Sequence, residues 1–265
     1  MDEANVAGEQ DVSSAGRLVT VGTGTCVPSL HRGGPCTLLE VQGFRCVVDL
    51  GLGSLHGLLR VGVRHVQVDA VLFTHHHPDH LAEVLSFLFA ANYDPLPRQR
   101  PLRLAGAPGT MEALTQLAES QQGWLAAKRY PLEMTSLTIG EEFVLGPFQV
   151  RTSRVAHIET SIGYRFERGG RATVISGDTG PSASLVELAS GADLLLAEAS
   201  LAPGDSGDTH LTPHQAGTLA REAGVRRLVL HHLYPAVEET DPAGTAAAAF
   251  GGPVTVAEDG MEWEL

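Results

Sequence analysis

The chain is 265 residues long, 43% apolar and 18% charged, and no apolar run reaches the roughly 18 to 20 residues that cross a bilayer, so no membrane span is expected. Its net charge of −13 counts against any partner held by a broad basic face, large nucleic acids included, although a local cationic site can still draw in a small anion. Cys26, Cys36 and Cys46 follow neither a C-x-x-C nor a disulfide-framework spacing and read as reduced thiols in or near the core.

Residues 1–16 are acidic, polar and without apolar period, and they lack the basic start and hydrophobic stretch of a secretory signal. They read as a disordered tail on a cytoplasmic protein, ahead of one domain over 17–265. Arg17 to Val21, Thr37 to Val41 and Phe44 to Asp49 are β-rich runs set apart by glycine-containing turns, the pattern of a strand meander. Ser54 to Val61 reads as a short helix, and Ala70 to Phe73 as a buried strand that runs into a histidine cluster. Leu81 to Ala91 carries a helical pattern, Leu102 to Ala105 another strand, and Gly109 to Gln121 an amphipathic helix of good formers. Strands return from Phe143 to Phe166, interrupted at Ala156 to Thr160, and three short apolar strands follow at Ala172 to Ser176, Leu194 to Leu196 and Leu228 to Leu230. Each of the three ends in polar, metal-competent residues: Gly177-Asp178-Thr179, Ala197-Glu198 and His231-His232. Thr212, Pro213 and Gln215 make a capping-box helix start, and the Ala-rich stretch Ala246 to Ala249 needs no functional explanation. No linker-like stretch divides the interior.

The strongest chemical signal is H-x-H-x-D-H at His75, His77, Asp79 and His80. Residues two apart in extended chain point to the same side, so His75 and His77 can address one metal, while Asp79 and His80, at the turn into the next helix, can address a second. Two metals need more ligands than one loop supplies. Imidazole with carboxylate suits catalytic zinc, and manganese or iron accepts the same nitrogen and oxygen donors. His157, Asp178 and His232 are the natural further ligands, because each follows an apolar strand and all could meet at one sheet edge. A turn aspartate or a single strand-end histidine is ordinary; the joint arrangement is what argues for a site. His31, His56, His65 and His214 read as structural or surface residues, with His31 and Arg32 on a glycine-rich loop as a pair that could border a substrate pocket.

Gly22-Thr23-Gly24 with Val27-Pro28-Ser29 and Arg32, Asp49-Leu50-Gly51, the His75 to His80 motif, His157 with Gly163-Tyr164-Arg165, Gly177-Asp178-Thr179 and Leu230-His231-His232 resemble the ordered signature of ribonuclease Z-like metallo-β-lactamase-fold hydrolases. The resemblance runs from Leu18 nearly to the last residue. It implies a four-layer αβ/βα sandwich of the α/β (α+β) class, in which two mixed β-sheets face each other, helices lie outside and metals sit at one sheet edge. It also implies that His75, His77 and His157 hold the first metal, Asp79, His80 and His232 the second, and that Asp178 bridges both. His231 precedes the matching ligand position, and His76 fills a variable one. His210, in His210-Leu211-Thr212, matches the family loop whose histidine protonates the leaving group, with Glu198 to orient it. An aspartate stands at the bridging position where many zinc β-lactamases use cysteine, which argues against an antibiotic-cleaving enzyme. Ribonuclease Z carries a long arm for transfer RNA between the third-histidine and bridging-aspartate motifs. Here only Ile158 to Gly177 separates them, so transfer RNA is disfavoured as a partner.

The expected mechanism follows from the ligand set. Coordination lowers the pKa of bound water from about 15.7 towards 7, and Asp79 is placed to orient that water and take its proton. Two divalent ions, less the charges of Asp79, Asp178 and a bridging hydroxide, leave a centre near +1 that favours an anionic transition state. The expectation is a hydrolase using a dinuclear-metal-bound hydroxide on a small anionic substrate, a small or cyclic phosphodiester first, with thioester or carboxylic ester hydrolysis as the alternative chemistry. A non-catalytic metal-binding protein of the same fold is the alternative from another class, and a homodimer is compatible with the sequence.

Overall fold

The computed structural model describes residues 16–98, 100–205 and 207–265. Among these residues the strands form two seven-stranded sheets. The first is built from β1 (Arg17–Gly22), β2 (Cys36–Val41), β3 (Phe44–Val48), β4 (Ala70–Leu72), β5 (Leu102–Gly106), β6 (Leu132–Ser136) and, from the far end of the sequence, β14 (Met261–Glu264), in the order β14-β1-β2-β3-β4-β5-β6. The second contains β7 (Glu142–Leu145), β8 (Phe148–Arg154), β9 (Ile162–Arg168), β10 (Arg171–Ile175), β11 (Leu194–Glu198), β12 (Leu228–His231) and β13 (Val254–Val256), in the order β13-β12-β11-β10-β9-β8-β7. Both sheets are mixed. Pairing is parallel from β3 through β6 and from β10 through β13, and antiparallel elsewhere.

The two-residue side-chain period decides which layer each strand residue serves. On β4, Ala70 and Leu72 enter an interior shared with Tyr164, Phe166, Leu194 and Leu196 of the other sheet, whereas Val71 packs outward. Helices α1 (Ser54–Arg60), α3 (Val84–Tyr93) and α4 (Pro108–Glu119) cover the outer face of the first sheet through Leu58, Phe87 and Leu114. Helices α5 (Ala183–Leu188), α6 (Pro213–Ala223) and α8 (Pro242–Phe250) cover the second through Leu185, Leu219 and Phe250. Each such buried aliphatic or aromatic side chain contributes about 1.5–3 kcal/mol by leaving water. The result is the expected helix–sheet–sheet–helix sandwich. No helix of the described residues is long and apolar enough to cross a membrane.

Several local expectations are met in detail. Thr212 Oγ1 accepts from Gln215 N–H at 3.2 Å while Gln215 Oε1 accepts from Thr212 N–H at 2.8 Å, closing the capping box of α6. The Ala-rich stretch lies in α8, where a Cβ added at Gly217 of α6 would come within 2.3 Å of the Ala246 carbonyl, so small residues on both sides let the two helices close up. Other expectations shift. The helix predicted over 81–91 is two pieces, α2 (Pro78–Leu81) and α3, because Glu83 turns its backbone N–H to the Leu50 carbonyl at 2.9 Å and its carboxylate to the N–H groups of Gly53 and Leu55. The tail read over 1–16 lies outside the described residues except for Gly16, which is buried and accepts from Leu265 N–H at 2.9 Å.

All three cysteines are free, with Cys36 and Cys46 buried and Cys26 exposed. Burial pushes the Cys36 thiol up to about 12 and raises Cys46 as well. Native protein treated with a thiol-specific reagent is therefore expected to release one equivalent rapidly, from Cys26, and three only after denaturation; fast reaction of a second thiol would contradict this packing.

Candidate active site and metal centre

The site forms where strands of both sheets stop. β4 is followed by Thr74 to His80, β8 by His157, β10 by Asp178, β11 ends on Glu198 and β12 is followed by His232. The crevice beyond the carboxyl ends of parallel strands is where open α/β sheets place ligands, because loops from adjacent strands converge there. The two sheets are fastened at this point: Ile162 N–H donates to the Thr74 carbonyl at 3.0 Å and Tyr164 Oη to the Phe73 carbonyl at 2.7 Å. Gly177, at φ 61°, passes so close that an added Cβ would meet Thr74 Cβ at 2.8 Å.

Donor atoms of His75, His77, His157 and Asp178 lie within 4.8 Å of one another, as do those of Asp79, His80 and His232. The two groups meet at Asp178. Its Oδ2 is 3.8 Å from His75 Nε2 and 4.0 Å from His157 Nε2, while Oδ1 is 3.3 Å from His80 Nε2 and 3.5 Å from His232 Nε2. Asp79 Oδ2 adds contacts of 3.5 Å to His232 and 3.9 Å to His80. Tetrahedral zinc with bonds of about 2.0–2.1 Å spaces its ligand atoms by roughly 3.4 Å, so the donor set has the right spacing for divalent cations.

The chemistry of the donors gives an independent test of that fit. Nε2 of His75, His80 and His232 are buried and have no hydrogen-bond partner. A buried polar atom without a partner costs about 1–3 kcal/mol, and three aimed at one place are accounted for by cations. Every expected ligand is therefore within reach of the cluster, and the two residues set aside are outside it. His76 bonds to Thr160 Oγ1 at 3.0 Å instead, and His231, although its Nε2 is also buried without a partner, is not among the converging donors.

Three of the donors, His80, His157 and His232, are held by a partner behind them. Asp49, at φ 63°, accepts from His80 Nδ1–H at 2.8 Å, from Thr74 Oγ1 at 2.8 Å and from Thr74 N–H at 2.8 Å. His157 Nδ1–H donates to the Thr209 carbonyl at 2.9 Å. His232, itself in the left-handed region at φ 54°, donates from Nδ1 to Ser200 Oγ at 2.9 Å, and that hydroxyl donates to the His232 carbonyl at 3.0 Å. Fixing Nδ1 in this way directs Nε2 at the centre, where it can ligate a cation once it gives up any proton it holds. Burial opposes charge on Asp178, but His232 and His80 hold its carboxyl well below the usual range. Burial likewise lowers the pKa of His75, and the neighbouring His80 lowers it further.

Beside the donors, His210 Nδ1–H donates to Glu198 Oε1 at 2.8 Å, and its ring lies 4.8 Å from that of His157 and 6.3 Å from that of His232. Glu198 is fully buried and also accepts from the N–H groups of Thr179, Ser200 and Leu211. Against burial, which lowers it, the hydrogen bond and charge of Glu198 hold the His210 pKa above its ordinary value. The sequence left Asp49, Thr74 and Ser200 without a role, because nothing local marks them. Their signal is topological: β3 lies parallel beside β4, so a carboxylate one residue past β3 sits behind the histidine loop. Replacing Asp49 with Ala is expected to weaken divalent-metal binding about 10- to 100-fold, the usual cost of removing such a support, as read by competition with a chelating dye. Unchanged metal affinity in a folded variant would show that Asp49 does not position His80.

A sequence profile of the β-lactamase superfamily domain matches residues 45–233. The chain is 32% identical over 269 residues to a protein named ribonuclease Z from Mycobacterium marinum, the match covering 91% of this chain and 96% of that one. The metallo-β-lactamase fold protein YhfI from Bacillus subtilis superposes with a TM-score of 0.84 at 24% identity, over 95% of this chain and all of that one. Human tRNase Z, short form, superposes with a TM-score of 0.75 at 22% identity, over 93% and 98%. The chain thus belongs to the β-lactamase superfamily, among its ribonuclease Z-like metal-dependent hydrolases.

Proposed function

We propose that this chain hydrolyses a phosphodiester, with His75, His77 and His157 holding one divalent cation, Asp79, His80 and His232 a second, and Asp178 shared between them. The observation that carries the reading is one carboxylate facing two donor groups, Asp178 Oδ2 towards His75 and His157 and Oδ1 towards His80 and His232, beside the supported imidazole of His210. Zinc is the proposed occupant, since histidine nitrogen with carboxylate oxygen is its usual catalytic set, and manganese or iron are the alternatives. When bound, such cations supply the positive charge that activates water and neutralises the phosphoryl oxygens.

The side chains do the rest. Against its burial, the neighbouring imidazoles of His232 and His80 hold Asp79 below the usual carboxylate range, so it is ionised and able to accept a hydrogen bond from the attacking water. The water gives a proton to Asp79 as its oxygen bonds to phosphorus, the bond to the ester oxygen breaks, and His210, oriented by Glu198, gives its proton to the departing alcohol. An RNA phosphodiester is the second reading, favoured by the similarity to a ribonuclease Z over nearly its whole length. The acidic chain, and the short stretch from Ile158 to Gly177 between the third-histidine and bridging-aspartate motifs, favour a small diester instead.

Protein purified without added metal should contain bound divalent metal by elemental analysis and hydrolyse at least one of bis(p-nitrophenyl) phosphate, a cyclic nucleotide or a precursor transfer RNA, losing that activity to a chelator and regaining it with zinc. Turnover confined to a parallel thioester panel would refute the phosphodiester reading. His210→Ala is expected to lower kcat about 10²- to 10⁴-fold for esters with alkyl leaving groups and far less for nitrophenyl esters, whose leaving group departs without a proton. Equal losses on both would remove His210 from the proton-donating role.

A further inference from the structure

A cavity of about 1020 Å³ opens beside Asp79, between the loop 25–34, the two ends of α1 and the segment 258–260. Building on the phosphodiester reading, we infer that this cavity receives the ester group that stays on phosphorus, and that the group is uncharged and apolar.

Three observations lead there. Position comes first. Pro78 and Asp79 form part of the wall, so the cavity is continuous with the site, yet neither His157 nor His210 borders it. A group lodged there is on the side away from the proton donor and is therefore not the one that leaves. Charge comes second. The ionisable wall residues besides Asp79, His31 and the thiol of Cys26 are Arg32 and Arg60 against Glu238, Glu258 and Asp259, two cations to three acids, a formal balance of −1. Most of these charges are already engaged. Arg32 is bound to Glu238, to Thr23 Oγ1 at 2.7 Å and to the Ala257 carbonyl, and Asp259 accepts from Thr23 N–H at 2.9 Å, Thr23 Oγ1 at 2.7 Å and Gly33 N–H at 2.7 Å. Such a wall gives a second phosphate no net attraction, so it suits a single diester better than a polynucleotide.

The third observation is the apolar surface left open. Leu30 is 98% exposed, Leu52 60% and Val27 41%, and all three line the cavity. The loop that presents two of them is already formed: Gly24 N–H donates to the Gly33 carbonyl at 2.8 Å across its neck, and Thr25 and Ser29 hydroxyls accept from Val27 and His31 N–H groups within it. Covering that surface with an apolar group lowers the free energy with little ordering cost, because the wall does not have to fold around its ligand. The volume is ample for an aryl ring or a group somewhat larger.

The test uses the full chain loaded with zinc and three diesters that release the same nitrophenolate: methyl p-nitrophenyl phosphate, phenyl p-nitrophenyl phosphate, and a counterpart of the latter bearing a second phosphate on its phenyl ring. We expect KM for the phenyl ester about tenfold below that of the methyl ester, loss of most of that preference in Leu30→Ser/Leu52→Ser, and a higher KM for the ester that bears the second phosphate. A binding arm keeps the inference separate from the activity. Diphenylphosphinate, whose P–C bonds cannot be hydrolysed, should bind by calorimetry about tenfold more tightly than dimethylphosphinate, and the double variant should erase the difference. Equal KM values, a preference unchanged in the variant, or equal binding of the two phosphinates would overturn the inference. If no diester is turned over but the phosphinate difference holds and depends on Leu30 and Leu52, the cavity assignment stands and the phosphodiester reading falls.

Discussion

Three imidazole nitrogens that have been taken out of water and given nothing to bind, those of His75, His80 and His232, set the terms for the rest of the molecule. A buried unpartnered nitrogen is costly, and three of them facing one carboxylate make an arrangement that divalent cations would complete. The sheets, the helices over them and the hydrogen bonds behind each ring all act to keep those nitrogens dry and aimed. Without that rigidity the rings would turn towards water and each would regain the solvent it lost.

The rigidity is assembled in layers. Asp49 fixes His80 and Thr74, Ser200 fixes His232, the Thr209 carbonyl fixes His157, and Glu198 fixes His210 while drawing in three backbone N–H groups. Two of the residues involved, Asp49 and His232, sit in the left-handed region that side-chain-bearing residues avoid. Strain of that kind persists where surrounding contacts over-determine the backbone, and both positions lie where a strand ends and a side chain must be redirected into the crevice. The same economy extends outward: the salt bridge and carboxylate that shape the cavity rim are spent on the rim itself.

The part of this design that could be read from the sequence is the part written locally. The spacing of His75, His77, Asp79 and His80 is compact enough to stand out, and apolar strands that run into Asp178, Glu198 and His232 announce a shared edge before any coordinates are known. What escaped is what depends on neighbours distant in sequence. β6 is mostly exposed, its alternation of Leu132 and Met134 with Glu133 and Thr135 too short to stand out, and β13 and β14 are short runs whose identity comes from the partners they pair with. The break at Ala82 and Glu83 arises because the Glu83 carboxylate caps α1, a contact with no signature in the helical period itself. Asp49 was visible only as part of a motif, since its role rests on β3 lying beside β4.

The edge of the first sheet joins residues from opposite ends of the sequence. β1 pairs with β14 in a register that sets Arg17 opposite Glu264, and Asp259, just before β14, is what ties down Thr23 and Gly33. Contacts that span most of a chain must wait for a large loop to close, which makes them slow and late among folding events. A molecule caught part-way, with its sheets formed but this seam unzipped, would already own its histidines and still lack the rim beside them. The rim beside the site therefore depends on a seam that joins the two ends of the sequence.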